Sequence, residues 1–218
     1  MKPTISKRFS LPAVFFGLCG MVFFLSLSVT LTLNARFLYY MDIDALAADT
    51  GMKAAEIREN YGALIDYNSI TGPEILTFPT LPMSETGRVH FEEVKVLFVG
   101  LEYACIVSGL LFAAGAVWLL KKKKDPRFLF YAWLFGTVIP ALAALLAAVN
   151  WDWFFTAFHH VMFRNNYWIF DASTDPIILL LPDTYFLKCL VVIIVLMLLF
   201  VQGCGLLYRR LRPRRNPA

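Results

Sequence analysis

The chain has 218 residues and a formal net charge of +4, and its composition is 59% apolar and only 17% charged. Soluble domains average roughly 45–50% apolar and about 25% charged residues, so this composition excludes an ordinary soluble enzyme and favours an integral membrane protein. Anionic lipid headgroups account for the small basic surplus, and no nucleic acid partner is expected.

Four stretches are long and apolar enough to cross a bilayer as helices, and they cover residues 11–33, 96–120, 128–149 and 186–208. A hydrocarbon core about 30 Å thick needs roughly 20 apolar residues per spanning helix. We therefore predict an all-α membrane protein in which residues 1–218 form a single domain built on four transmembrane helices.

The first stretch could instead be a secretory signal, because basic residues precede it. It is longer than the roughly 7–15-residue core of such a signal, and no small-residue cleavage site follows. Cys19 also suggests a lipoprotein signal, but the bulky Leu18 stands where those signals carry a small residue. The first stretch is therefore predicted to remain as a transmembrane helix.

Basic residues determine the predicted orientation, because Lys and Arg in short flanking segments stay cytoplasmic. They cluster in three segments on one side of a four-span chain: Lys2, Lys7 and Arg8; Lys121 to Lys124 with Arg127; and Arg209, Arg210, Arg212, Arg214 and Arg215. Both termini are therefore expected in the cytoplasm, with residues 34–95 and 150–185 on the external side of the membrane. All four cysteines fall within the spans and have no metal-like spacing, so they are expected to pack as small apolar residues.

The first external segment, residues 34–95, is too long for a simple connection and is expected to form a small cap. Residues 53–67 have the apolar spacing of a helix, and residues 75–83 are predicted to be extended. Ser84 and Thr86 are candidate caps for a helix that begins near Arg88 and continues into the second span.

The second external segment, residues 150–185, is rich in aromatic residues, which concentrate at the headgroup level of membranes. An interfacial belt explains the rings but not the polar residues among them, which are His159, His160, Arg164, Asn165 and Asn166. Two interpretations therefore remain open, a simple belt and a binding site for an amphiphile.

The chain contains three histidines, His90 and the adjacent pair His159 and His160. Antiparallel neighbouring helices would bring them to one membrane depth, where imidazoles with an ordinary pKa of about 6.5 can relay protons. A single histidine at an interface is more often simply a polar side chain in a hydrated region. His90, Glu93 and His159 could supply three zinc ligands, but the sequence lacks an HExxH pairing, and we expect no metal or other cofactor.

Glu102 falls about two turns inside the second span, where an isolated charge is costly. Lys188 or Arg36 could neutralise it, and we expect an ion pair rather than a proton relay. The sequence has no internal repeat, glycine-rich phosphate loop or G-x-S-x-G elbow, so phosphate and serine-hydrolase chemistry have no support.

Three motifs resemble the bacterial integral membrane family of lipoprotein intramolecular transacylases, Lit. They are Ser84-x-x-Gly87-x-x-His90-Phe91-x-x-Val94-Lys95-x-x-Phe98, then Phe158-His159-x-x-x-Phe163-x-Asn165-Asn166-Tyr167-Trp168, then Pro182-x-x-Tyr185-Phe186. The length, the four spans and the order of the segments are also similar, so the resemblance covers nearly the whole chain.

The resemblance implies four transmembrane helices under an extracellular cap, with His90 and His159 as catalytic residues and His160 as a bystander. It implies transfer of an acyl chain within a diacylglyceryl lipoprotein, from the sn-2 ester to the α-amino group of the N-terminal cysteine. The product is a lyso-form lipoprotein. Diacylated lipoproteins and membrane lipids are then the expected partners, and the protein is expected to be a monomer.

The implied reaction needs proton transfer, because an α-amino group with a pKa of about 7.7–8.0 is mostly protonated and must lose a proton before it attacks. We assign this step to His159, and His90 would protonate the departing glyceryl oxygen or stabilise the tetrahedral intermediate; the roles could be reversed. The predicted substrate-binding residues are Phe158, Arg164, Asn165, Tyr167, Trp168, Glu93 and Tyr185. The alternative function is a non-catalytic lipid-binding or scaffold protein, and a transporter has less support.

Overall fold

A computed structural model describes residues 10–212 of the chain. In this range the order of the α-helices is α1 (Leu11–Asn34), α2 (Phe37–Tyr40), α3 (Ile43–Thr50), α4 (Ala54–Tyr67), α5 (Glu85–Val117), α6 (Arg127–Val149), α7 (Trp151–Met162) and α8 (Asp183–Leu211). A π-helical turn, Trp118–Lys123, continues α5, and a 3-10 turn, Pro176–Leu180, precedes α8. No β-strand occurs among the described residues, and the predicted all-α membrane fold is confirmed. Of the predicted basic clusters, Lys2, Lys7, Arg8, Arg214 and Arg215 lie outside the described residues.

Four helices are long and apolar enough to span a membrane: α1, α5 with its π-helical turn, α6 and α8. Most side chains in these spans are not buried inside the protein, as expected of helices whose outer faces contact lipid. α1 packs between α5 and α6, and α6 packs against α8. Gly17 and Gly20 lie where α1 contacts α6 and α5, and a Cβ atom at Gly17 would overlap the Tyr131 side chain. Small residues at such contacts allow membrane helices to pack closely.

The second spanning helix is longer than the bilayer requires. With its π-helical turn it has 39 residues, which at a rise of about 1.5 Å per residue is about twice the roughly 30 Å hydrocarbon core. The apolar stretch begins at Val96, so the first turns of α5, including His90, extend beyond the membrane-spanning segment and belong to the cap. The helix begins at Glu85, three residues before the predicted start at Arg88.

The two ends of the bundle have separate cores. At one end Ala13 of α1, Leu119, Phe128 of α6 and Cys204 of α8 pack together, so the described ends of α1 and α8 lie at the same end of the bundle. At the other end α2, α3 and α4 pack on the starts of α5 and α8. The predicted helix over residues 53–67 corresponds to α4, and the segment before Ser84 lies against it through Leu76 and Phe78.

Three tyrosines join the cap to α8. The rings of Tyr39 and Tyr61 stack with centroids 3.6 Å apart, and the Tyr61 and Tyr185 hydroxyls form a hydrogen bond of 2.6 Å. The Tyr39 hydroxyl donates to the carbonyl oxygen of Leu180 at 2.8 Å. Because all three are buried, these bonds fix the cap above the bundle.

The expected ion pair of Glu102 is wrong. The Glu102 carboxylate accepts the backbone N–H of Ile70 at 2.7 Å, whereas Lys188 pairs with Asp42 and Arg36 pairs with Asp66. The chain between α4 and α5 folds back onto the side of α5. This places the backbone N–H of Ile70, rather than the side chain of Lys188 or Arg36, next to the Glu102 carboxylate. The Ile70–Glu102 and Lys188–Asp42 contacts tie the cap to α5 and α8, whereas the Arg36–Asp66 pair lies within the cap.

Candidate active site

Asp175 and Ser84 fix the start of α5, which carries His90. The Ser84 hydroxyl accepts the backbone N–H of Gly87 at 3.0 Å, a helix N-cap bond. Asp175 is only 2% exposed, and its carboxylate accepts the Ser84 backbone N–H at 2.7 Å. A Cβ atom at Gly87 would overlap this carboxylate, so the glycine allows the close approach that sets the position of His90 one turn further along.

His159 lies near the end of α7, a helix that the sequence analysis did not predict inside the aromatic segment. The Asn150 side chain caps this helix by accepting the Trp153 backbone N–H at 2.9 Å. The Nδ1 atom of His159 lies 2.7 Å from the carbonyl oxygen of Phe155. A carbonyl oxygen can only accept, so Nδ1 carries the proton and Nε2 of the neutral ring is left as the basic nitrogen.

The structure brings His90 and His159 together, with ring centroids 6.4 Å apart. Phe163 lies against both rings, 4.7 Å from His90 and 5.8 Å from His159 between centroids. Phe170 covers another side of His90 at 5.4 Å, and Trp168 stacks on His159 at 4.5 Å. The two imidazoles therefore share one aromatic enclosure at the cap end of the bundle.

Burial keeps both imidazoles neutral near pH 7. His90 is only 6% exposed, and burial, followed by the proximity of His159, lowers its pKa to about 4. Burial also lowers the pKa of His159, the bond to the Phe155 carbonyl raises it in part, and the neighbouring His160 lowers it further. Neutral imidazoles can accept a proton from an amine or donate a hydrogen bond to a developing oxyanion.

Glu93 lies one helical turn after His90 and contacts the same loop as the histidines. Its Oε1 atom accepts the Asn165 side-chain amide at 2.8 Å, whereas its buried Oε2 atom has no partner among the described residues. The Nδ1 atom of His90 and the Nε1 atom of Trp168 are likewise buried without partners in residues 10–212. Unpaired buried polar atoms cost about 1–3 kcal/mol each, so their concentration here is typical of a site whose polar partners come from a ligand.

The other residues predicted to bind the substrate differ in exposure and in their distance from the histidines. Phe158 contacts the His159 ring edge to face at 5.5 Å but is 46% exposed, and Arg164 and Tyr167 are also exposed on the loop after α7. His160 is exposed, and its ring lies 5.6 Å from that of Trp168 in a T-shaped arrangement. Tyr185 lies apart from the histidines, in the tyrosine cluster under the cap. Phe158 and Trp168 therefore contact His159 directly, whereas Glu93 follows His90 by one helical turn and Asn165 bonds to Glu93.

Three structural roles have no local signal in the sequence: Asp175 bonds to Ser84, Phe163 contacts both imidazoles and Phe170 covers His90. Asp175 follows a polar run that resembles an ordinary loop, and only the fold shows that it reaches the start of α5. Within residues 10–212 no group of three or more His, Cys, Asp or Glu side chains is placed to hold a metal ion.

Four spanning helices, with one buried and one half-buried imidazole close together at the cap end, define an all-α integral membrane protein. A family model described as the lipoprotein intramolecular transacylase Lit matches residues 14–186. The chain belongs to this family, so the predicted family is confirmed, and so is the prediction of an acyltransferase.

Solved structures agree with the family match. An in meso structure of the membrane integral lipoprotein intramolecular transacylase Lit from Bacillus cereus is 32% identical, covers 92% of this chain and 94% of its own, and has a TM-score of 0.88. Two further structures of that protein, each with one histidine replaced, by arginine or by alanine, have TM-scores of 0.80 and 0.82. They also are 32% identical and cover 91% and 92% of this chain and 90% and 92% of their own. Comparison with curated protein sequences gives no significant match.

Family membership decides between the functional alternatives. The family description is that of an enzyme acting on lipoproteins, which argues against the alternative of a non-catalytic lipid-binding or scaffold protein. The protein is membrane-integral, and its family relatives are bacterial.

Proposed function

We propose that this transacylase moves the sn-2 acyl chain of a diacylglyceryl lipoprotein to the α-amino group of its N-terminal cysteine, with His90 and His159 as the acid–base pair. The observation that carries the proposal is the bond between His159 Nδ1 and the Phe155 carbonyl oxygen. It orients the ring and leaves Nε2 as a base inside an aromatic enclosure that also holds His90.

The reaction requires one new bond, one broken bond and one net proton transfer. The neutral α-amino nitrogen attacks the sn-2 carbonyl carbon while Nε2 of His159 takes a proton from that nitrogen. His90 donates an N–H hydrogen bond to the oxyanion of the tetrahedral intermediate. The carbon–oxygen bond to glycerol then breaks, and the proton held by His159 passes to the glyceryl oxygen. The products are an amide and a free sn-2 hydroxyl, and both imidazoles end neutral.

Glu93 is proposed to bind the substrate ammonium group before it loses its first proton to solvent, which leaves the neutral amine that attacks. Its Oε2 atom is a buried acceptor without a partner among the described residues, and Asn165 donates to the other oxygen. A carboxylate one turn from His90 would attract the cationic amine to the end of the bundle where the imidazoles lie. Trp168, through its unpaired Nε1 donor, is proposed to bind an ester carbonyl oxygen.

Much of the rate acceleration would come from holding one substrate molecule in a folded pose. Amine and ester belong to the same molecule, and a near-attack arrangement of such groups is worth on the order of 7–11 kcal/mol. The enclosure of Phe163, Phe170 and Trp168 around the imidazoles supports such a pose. No residue of the chain is required as a nucleophile.

Charge distribution supports an extracytoplasmic site in the bacterial plasma membrane. Lys121 to Lys124, Arg209 and Arg210 flank the end of the bundle opposite His90, and such residues remain cytoplasmic. Both termini would then be cytoplasmic. Because one chain supplies both histidines, we propose that the monomer is active.

The test uses purified protein and a synthetic lipopeptide whose sn-1 and sn-2 acyl chains differ in length. We expect tandem mass spectrometry to find the sn-2 chain on the cysteine nitrogen and the sn-1 chain still on glycerol. Amide formation from the sn-1 chain would contradict the proposed regiochemistry.

A crossover experiment tests the intramolecular course. Lipopeptide labelled in both peptide and acyl chains is mixed with an equal amount of unlabelled lipopeptide. We expect products that are fully labelled or unlabelled, and products carrying label in only one part would contradict transfer within one molecule.

A further inference from the structure

A groove at the end of the bundle opposite the histidines has the features of a binding site for an anionic phospholipid. It lies between the start of α6 and the end of α8 and has a volume of about 200 Å³. Its lining residues are Phe130, Trp133, Gln202, Gly205, Leu206, Tyr208, Arg209 and Arg212. None of them takes part in the proposed reaction.

Part of the groove wall is formed by aromatic side chains that contact one another. The Trp133 indole donates to the Gln202 side-chain oxygen at 3.1 Å, and the Phe130 ring lies 5.4 Å from Tyr208 and 5.9 Å from Trp133. Gly205 permits this arrangement because a Cβ atom there would come within 2.8 Å of the indole. Aromatic rings of this kind favour the headgroup depth of a bilayer.

The mouth of the groove is positively charged. Arg209 and Arg212 are both exposed, neither forms a salt bridge with a described acidic residue, and no acidic side chain lines the groove. Guanidinium groups bind phosphate oxygens through paired N–H donors. An anionic headgroup therefore complements the charges of Arg209 and Arg212, whereas the ammonium group of a choline headgroup would be repelled by them.

The dimensions favour a lipid headgroup with its acyl chains outside. The volume is below the roughly 300–1,000 Å³ of pockets that enclose a drug-sized ligand, so the groove can hold a headgroup but not a whole lipid. Leu206 on its wall and Leu199, two helical turns earlier, are exposed on the same face of α8. An acyl chain can extend along this face.

We propose that this groove binds the headgroup of an anionic phospholipid, with Arg209 and Arg212 contacting its phosphate and Trp133 and Gln202 forming part of the wall. The site would anchor the end of α8 at a defined depth. Basic pockets between transmembrane helices are a known means of binding such headgroups.

Native mass spectrometry of the full chain in neutral detergent tests the proposal, with phosphatidylglycerol and phosphatidylcholine supplied in equal amounts. We expect preferential retention of phosphatidylglycerol, and a loss of about tenfold or more in the double variant Arg209→Gln/Arg212→Gln. Arg210→Gln is the matched control, because Arg210 is exposed and adjacent but does not line the groove. The amount of phosphatidylglycerol retained by the Arg210→Gln variant should stay within about twofold of that retained by the unchanged protein.

Three results would overturn the proposal: equal retention of both lipids, the same loss in the Arg210→Gln control, or displacement of the lipid by an equal concentration of inorganic phosphate. Transacylation of a lipopeptide in detergent serves as the folding control. The double variant should keep it, because the groove is remote from His90 and His159.

Quenching by brominated phosphatidylglycerol gives a second readout of position. We expect it to reduce Trp133 emission, so that Trp133→Phe removes most of the saturable quenching. Saturable quenching that persists in Trp133→Phe would place the lipid elsewhere and contradict the site.

Discussion

The buried carboxylate of Asp175 accepts the backbone N–H of Ser84 at 2.7 Å and thereby holds the first turn of the helix that carries His90. Asp175 belongs to the loop before α8, and Ser84 begins α5, so one hydrogen bond joins the two segments that enclose the imidazoles. Thr174 donates to the other carboxylate oxygen at 2.7 Å. The bond makes Asp175 a positioning residue.

Replacing Asp175 tests this role. Asp175→Ala leaves the part-buried Ser84 N–H without its acceptor, a loss of about 1 kcal/mol, and we expect a lower kcat because His90 is displaced. Asp175→Asn retains an oxygen acceptor and should recover much of the kcat. Thermal unfolding and steady-state kinetics measure both effects, and equal kcat values for the alanine and unchanged proteins would exclude a positioning role.

The sequence predicts the membrane fold well because hydropathy and helix length are local properties. The spans near residues 11–33 and 128–149 correspond closely to α1 and α6, and the spacing around residues 53–67 predicts α4. The helix α7 was not anticipated because its aromatic residues suit both a belt and an interfacial helix. The partners of Glu102 and Asp175 depend on how distant loops fold back, which local patterns do not specify.

Glu93 provides a test of ammonium binding. Glu93→Gln keeps a side chain that can bond to Asn165 but removes the negative charge, and a charged hydrogen bond is worth about 1.5–3 kcal/mol. We expect KM for the lipopeptide to rise about 10–100-fold with a smaller change in kcat. Asn165→Ala, which preserves the charge, should have the milder effect, and an unchanged KM in Glu93→Gln would refute the assignment.

Tyr185 is predicted from the family resemblance as a substrate contact, but its place in the cap suggests stabilisation instead. Tyr185→Phe removes the bond between the Tyr185 and Tyr61 hydroxyls, and we expect a loss of about 1 kcal/mol in the free energy of unfolding. KM should change little. The matched variant Tyr61→Phe should behave alike, and a large KM increase in Tyr185→Phe alone would instead support direct contact with substrate.

The lowered pKa of His159 predicts the pH dependence of the reaction. Because protonation removes the base, activity falls as the pH drops through the pKa of His159, and burial places that pKa below its ordinary value of about 6.5. At pH values above the pKa of His159, protonation of the substrate amine is the only process that lowers kcat/KM as the pH decreases. The ordinary pKa of this amine is about 7.7–8.0. A plot of log kcat/KM against pH should therefore steepen only below about 6.5.

His160→Ala gives a control for this pH profile. His160 lowers the pKa of His159, so its removal should move the steep limb to higher pH while leaving the rate at pH 8 unchanged. A shift to lower pH would contradict the electrostatic account.

The most direct test of the two-histidine account compares His90→Ala, His159→Ala and His160→Ala in a host that lacks the enzyme, with mass spectrometry of its lipoproteins. All three variants remove an imidazole from the cap end of the protein, but only the first two alter the enclosed pair. We predict that His90→Ala and His159→Ala abolish the N-acylated, O-monoacyl lipopeptide and that His160→Ala produces it at the normal level. Full product formation by His90→Ala or His159→Ala would contradict the role assigned to that histidine.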